Sequence, residues 1–306
     1  MSEPWELSCY TANLVAYLRP RAPGIATDLA AAIRLSVRTD PPGGGLAFSH
    51  HTRVDIDAGG HGLAYRGADD WERARDALTA ELERAGRVLA VGNTRHIPWS
   101  PAHERAETPH WVLLSGRFDG TWSVTDDFAA LTPHGEHAPH TGLLDDDELR
   151  AVLTPLADIT PVAADRDRYA LGECTALPPA TGYRWLEHTA LPPRAEEPEG
   201  SWIHGVVPAL RAVAERVCGH DEALARHADD LWTAARHQRF RLAQHAPGPD
   251  AAARAAAATA WEELPRAARF AVASAARGRP RHALVDRAFA RLLDTVEQLG
   301  DGDHDD

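Results

Sequence analysis

Residues 109–128 read PHWVLLSGRFDGTWSVTDDF, two apolar and β-branched runs separated by Asp119-Gly120, which is a hairpin signal. His110 opens the first run and Asp126-Asp127 closes the second, so pairing the two strands carries an imidazole and a carboxylate to the same end. If Asp119-Gly120 forms a two-residue type I′ loop, strand alternation puts Asp127 on the face of His110. A three-residue loop or a bulge shifts the pairing by one residue and selects Asp126.

Working outward, residues 8–18 (SCYTANLVAYL) form an amphipathic stretch with Ser8 as a natural N-cap and Arg19-Pro20 as a stop. Cys9 then falls in the first turn of a helix. There, unpaired backbone N–H groups and the positive end of the helix dipole favour its thiolate. Cysteine, histidine and acid, in that chain order, are arranged as nucleophile, base and orienting group are in papain-like cysteine enzymes. Taken alone, Cys9 would read as a small buried hydrophobe; the helix start and the downstream His-Asp pattern favour a nucleophile.

The composition narrows the classes further. The chain has 306 residues, 44% of them hydrophobic, enough for one large or two ordinary domains. No apolar run approaches the roughly 20 residues of a membrane span, and no basic-then-apolar signal opens the chain, so the expectation is a soluble cytoplasmic protein without membrane contact. The basic residues are all arginine; without lysine, a pyridoxal Schiff base or a phosphate-loop lysine is excluded. A net charge of −13 argues against nucleic-acid binding. Three scattered cysteines, Cys9, Cys174 and Cys218, make neither a disulfide framework nor a metal pair. Cys174 and Cys218 read as inert, and Cys218 shares a helical face with Val207, Leu210 and Ala214.

Periodicity predicts helices over 26–33, 68–85 and 145–156 and strands over 46–51 and 87–91. The proline-rich, acidic stretch 191–200 (LPPRAEEPEG) reads as a linker. Beyond it come helices over 207–218, 221–243, 249–276 and 282–299, with Pro208 in a first turn and Pro265 expected to kink or divide the third. The polar tail, 300–306, reads as disordered. The chain is therefore expected to be α+β: a catalytic domain over 1–190 and an all-helical domain over 201–299.

The stretches ELSCYTANLVAYL, GGLAFSH, VLAVGNTRHIPW, PHWVLLSGRFDGTWSVTD and AWEELPRAARFA together resemble the butirosin-biosynthesis acyltransferases, a branch of the papain-like fold close to the double-glycine leader peptidases. That family's His, a Gly six residues on and an Asp sixteen residues on match His110, Gly116 and Asp126. The resemblance implies a papain-like catalytic domain that transfers an acyl group from a carrier-protein thioester to an amine in specialised metabolism. An acyl-cysteine intermediate forms on Cys9, with His110 as base and Asp126 as orienter. The acyl group would arrive on a phosphopantetheine arm, with no cofactor held by the protein itself. In one respect the chain departs from the pattern. Papain-like enzymes commonly place a Gln six residues before the nucleophile as an oxyanion donor, whereas this chain has Glu3, and an ionised carboxylate cannot donate. The Cys9 backbone N–H and a second group must serve, with Asn93 a candidate.

Tyr10, beside the nucleophile, and Trp99, whose apolar surface would exclude water and favour aminolysis over hydrolysis, are substrate-contact candidates. His134, His137 and His140 lie in a Pro/Gly-rich loop without metal-site spacing and read as exposed loop histidines, so no metal is expected. One of His50 and His51 is a candidate lining of the cleft. Arg277, Arg279 and Arg281 form a basic patch on an acidic protein, either a solvated loop or a dock for an acidic carrier protein. A hydrolase with the same triad and a catalytically silent module of the same fold are the competing readings.

Overall fold

The computed structural model describes residues 6–190, 200–245, 248 and 250–300. In chain order its elements begin with α1 (Cys9–Leu18), α2 (Ile25–Ala32), β1 (Ile33–Arg38), β2 (Ala47–His51), β3 (His61–Ala68) and α3 (Trp71–Ala85). β4 (Val88–Asn93) leads through a 3-10 turn, Thr94–His96, to the hairpin β5 (Pro109–Phe118) and β6 (Thr121–Asp126). Next are β7 (Ala130–Thr132), β8 (Gly135–His137), β9 (His140–Leu144), α4 (Asp146–Val152), α5 (Pro161–Arg168) and β10 (Tyr183–Ala190). The last are β11 (Trp202–His204), α6 (Val206–Val217), α7 (Asp221–Ala243), α8 (Ala251–Ala275) and α9 (His282–Gln298). The fold is mixed α+β with antiparallel sheets. No helix among the described residues is long and apolar enough to cross a membrane.

The chain divides into two units, and the division is not the one expected from the 191–200 stretch. Residues 6–26 and 53–190 form the first; residues 27–52 join the C-terminal residues in the second. Of the expected linker only Gly200 is described, and of the expected disordered tail only Gly300; the rest of both stretches lies outside the described residues.

In the first unit a six-stranded sheet runs β3-β10-β4-β5-β6-β9. α3 starts where Asp70 accepts the Arg73 amide and ends where Gly86 takes the left-handed conformation (φ 75°) that glycine adopts without strain. Its apolar stripe, Trp71, Ala74, Leu78 and Leu82, packs on alternate residues of the sheet: Val88, Ala90, Val112, Leu114, Trp122 and Val124. α1 packs against β4, β5 and β6 and is buried almost all round, including Leu14, Val15 and Tyr17. Ser8 caps it by accepting the Thr11 amide at 3.1 Å.

The β5–β6 hairpin resolves the parity question. Asp119 and Gly120 both have positive φ (49° and 77°), as a two-residue type I′ loop requires. Near the loop the pairs are Phe118↔Thr121, Arg117↔Trp122 and Gly116↔Ser123. Beyond a bulge at Ser115 they become Leu114↔Val124 and Leu113↔Thr125. The one-residue shift turns Asp126, not Asp127, onto the face of His110.

The second unit is not all-helical, contrary to expectation. It contains a three-stranded sheet, β11-β1-β2, beside α6–α9. Leu35, Val37 and Phe48 of those strands share one core with Val213, Leu231, Trp261 and Phe289. His227 fixes the start of β2 to α7: its Nε2 accepts the Leu46 amide at 3.2 Å, and its Nδ1 bonds Asp230 at 3.0 Å. Pro265 is accommodated inside α8, which is a single helix rather than a divided one.

Candidate active site

The site in the first unit begins at Cys9, the first residue of α1. Ser8 satisfies the Thr11 amide, whereas the first-turn amides of Cys9 and Tyr10 have no intrahelical acceptor. His110, at the start of β5 and 2% exposed, donates from Nε2 to Asp126 Oδ2 at 2.7 Å. That bond leaves Nδ1 as the ring nitrogen not used by Asp126, and Cys9 lies close enough to the imidazole to act on its protonation.

Burial pulls the His110 pKa down, but the Asp126 carboxylate, then the charge and hydrogen bond of the Cys9 sulfur, overcome it and push it up to about 10. Burial would raise the Asp126 pKa. The His110 charge and the hydrogen bonds of His110 and His137 outweigh it, and the carboxyl is held well below its usual range. Asp126 is therefore an anion throughout the neutral range.

Five donors converge on this carboxylate, which is 0% exposed. On Oδ2 they are His110, Trp99 Nε1 (2.9 Å) and His137 Nε2 (3.0 Å); on Oδ1 they are Asn13 Nδ2 (3.0 Å) and the Phe128 amide (3.1 Å). Asn13 also donates to the carbonyls of Cys9 (3.1 Å) and Trp111 (2.8 Å), and its Oδ1 accepts the Asp127 amide at 3.1 Å. One amide side chain thus joins the helix of Cys9 to the strand of Asp126.

Asp127 does not bond His110: its side chain is about one-third exposed and faces Arg19 at 3.8 Å. Tyr10 lies against Trp111 edge-to-face (5.2 Å between centroids). Burial, then the Asp167 and Cys9 charges, raise the pKa of its hydroxyl well above that of free tyrosine. Trp99 stacks flat on His140 (4.1 Å, 10°) while its N–H seals the acid.

Several expectations are corrected. Asn93 is engaged elsewhere: its amide donates to Glu107 (2.9 Å) and its oxygen caps the Arg95 amide. His137 is not an exposed loop residue; it is 3% exposed and bonds Asp126. His140 is half-buried beneath Trp99, and only His134 is exposed. His50 and His51 belong to the second unit, where their rings stack on His237 at 5.2 and 5.9 Å. Arg277, Arg279 and Arg281 are exposed between α8 and α9. Burial, then Asp286, pushes the Cys218 thiol up to about 12, an environment for an inert thiol. Glu3 lies outside the described residues.

Sequence reasoning missed Asn13 and His137. For His137 the signal was present as a histidine in a short Gly-bounded hairpin following the acid; for Asn13, only its place one turn after Cys9. His110 Nε2, Asp126 Oδ2 and His137 Nε2 lie within 4.8 Å of one another, a donor set of the type that binds divalent metals. Here both imidazoles contact the oxygen directly, and the Trp99 N–H points at the same atom. With all three nitrogens at hydrogen-bond distance from that one oxygen, the set reads as a hydrogen-bonded carboxylate. Compared with protein-family models and with curated proteins, the chain matches none.

Proposed function

We propose that this chain is a cysteine-dependent acyltransferase with a papain-like catalytic unit, akin to the butirosin-biosynthesis acyltransferases. It would act in the cytoplasm, moving an acyl group from a carrier-protein thioester to an amine during specialised-metabolite assembly. One observation carries this reading: a buried carboxylate holds Nε2 of an imidazole on which the thiol at a helix start also acts, which leaves Nδ1 for the sulfur as nucleophilic acyl chemistry requires.

The Cys9 thiolate attacks the thioester carbonyl, and the carrier thiolate leaves with the proton from His110 Nδ1. The acyl-Cys9 thioester is then attacked by the amine, whose proton passes to His110 as Cys9 departs as thiolate. Asp126 holds Nε2–H throughout, which fixes the tautomer. The first-turn amides of Cys9 and Tyr10 are the donors for the carbonyl oxygen as its charge develops. Exposed Arg277, Arg279 and Arg281 are candidate docking charges for an acidic carrier protein.

The test is incubation with an acyl-pantetheine thioester, with and without amine acceptors, followed by intact mass and product analysis. Amide formation with an acyl adduct on Cys9 is the expected result. Free acid under every acceptor would mean a thioesterase or peptidase. If no adduct forms and Cys9 is alkylated no faster than Cys174 and Cys218, the chain is a non-catalytic module.

A further inference from the structure

We infer that His137 is a positioning residue of this site: it holds Asp126 Oδ2 on His110 and so keeps the imidazole aimed at the Cys9 sulfur. The inference rests on the acyl-transfer reading above.

A carboxylate turns freely about its last bond unless donors pin each oxygen. The oxygen that serves His110 is Oδ2, and His137 Nε2–H reaches it at 3.0 Å from a separate piece of chain. β7 and β8 form their own two-stranded sheet, with Ala130 opposite His137. Ala130 and His137 are the buried residues of this hairpin, while Leu131 and Glu136, the next pair, are exposed. The hairpin thus inserts one polar ring into the interior, and that ring ends on the acid.

The aromatic packing fixes the ring as well. The His137 and His110 rings lie nearly parallel (5.2 Å, 24°), and Phe128 meets both edge-on at 5.0 and 5.6 Å. The Phe128 amide meanwhile donates to the other carboxylate oxygen. Histidine suits this role because its Nε2–H donates whether or not Nδ1 carries a proton, whereas an arginine here would add a permanent cation that competes with His110 for the carboxylate.

The test uses the full chain with His137→Phe, which keeps a ring but no donor, and His137→Gln, whose amide nitrogen reaches the position of Nε2. Melting curves verify folding; if the Phe variant does not fold, His137→Asn, too short to reach Oδ2, replaces it. Peptide-resolved iodoacetamide alkylation from pH 5 to 9 reports the thiol–imidazole pair, and thioester turnover gives kcat and KM separately. The donor-less variant is expected to alkylate at Cys9 about tenfold more slowly at pH 7 and to lose kcat by a similar factor with KM within about twofold, while Gln recovers most of both. Wild-type behaviour of the donor-less variant overturns the inference, as does a Gln variant no better than it, provided wild-type Cys9 is hyper-reactive. If wild-type Cys9 reacts no faster than Cys174 and Cys218, the acyl-transfer reading falls and takes this inference with it.

Discussion

Two buried histidine groups in this molecule experience opposite fates. In the first unit, His110 lies against an ionised Asp126, and its pKa rises to about 10 despite complete burial. In the second, His237 is equally buried but stacks on His50 and His51, and its Nδ1 lies 2.8 Å from the Thr233 carbonyl oxygen. Burial, then the charges of His50 and His51, force its pKa well below the usual value. Burial is common to both sites, but the leading charges that act on the two rings are opposite in sign. It is the carboxylate, itself secured by five donors, that turns a structural imidazole into one able to hold and return a proton.

The largest expected effect on this contrast comes from Asp126→Asn. The amide would remove the anion and present its own N–H toward His110. Turnover of an acyl thioester should fall on the order of 10³-fold or more, with the Cys9 acyl adduct no longer accumulating.

Next come the pH limbs of stability, which should run in opposite directions. The depressed pKa of His237 means that its neutral form contributes stability above roughly pH 6.5, lost as pH falls toward its folded value. Each pH unit below 6.5 should cost about 1.4 kcal/mol, and His237→Phe should flatten that acid limb in thermal melts between pH 7 and 5. For His110 the sign is reversed: its contribution is complete below roughly pH 6.5 and is lost as pH rises toward about 10. His110→Gln should therefore flatten the alkaline limb.

Trp99→Phe removes one donor from Asp126 Oδ2 but keeps a ring on His140. A severalfold loss of kcat is expected, consistent with a bond to a charged group of about 1.5 kcal/mol or more. The smallest effect on chemistry should come from Asn93→Ala, which removes one of the donors to Glu107 and the side-chain acceptor of the Arg95 amide. It should lower stability by about 1–3 kcal/mol while leaving the Cys9 alkylation rate unchanged. A drop in that rate without loss of stability would restore Asn93 as a donor in the site.

Much of this was legible in the sequence, for local reasons. α3 announces itself through its early aspartates and a repeating apolar stripe, and α1 through Ser8 and Arg19-Pro20. The Asp119-Gly120 turn was equally plain. The Ser115 bulge was not, because no residue type demands it, so the choice between Asp126 and Asp127 needed the paired strands. The strand expected over 46–51 was recognisable as a strand, but alternation does not say which core it will join, and the helices of the second unit claimed it. Asn13 and His137 stayed hidden because their roles exist only once α1, β6 and β8 meet at one carboxylate.

The bulge at Ser115 makes the identity of the acid a matter of counting. Excise one residue there, and the chain would present the neighbouring aspartate, one-third exposed and facing Arg19, to the imidazole. Single-residue insertions and deletions, usually harmless in a surface hairpin, would here act as an on–off toggle for the chemistry. A lineage carrying such a length change would keep the scaffold while losing the proposed acyl transfer.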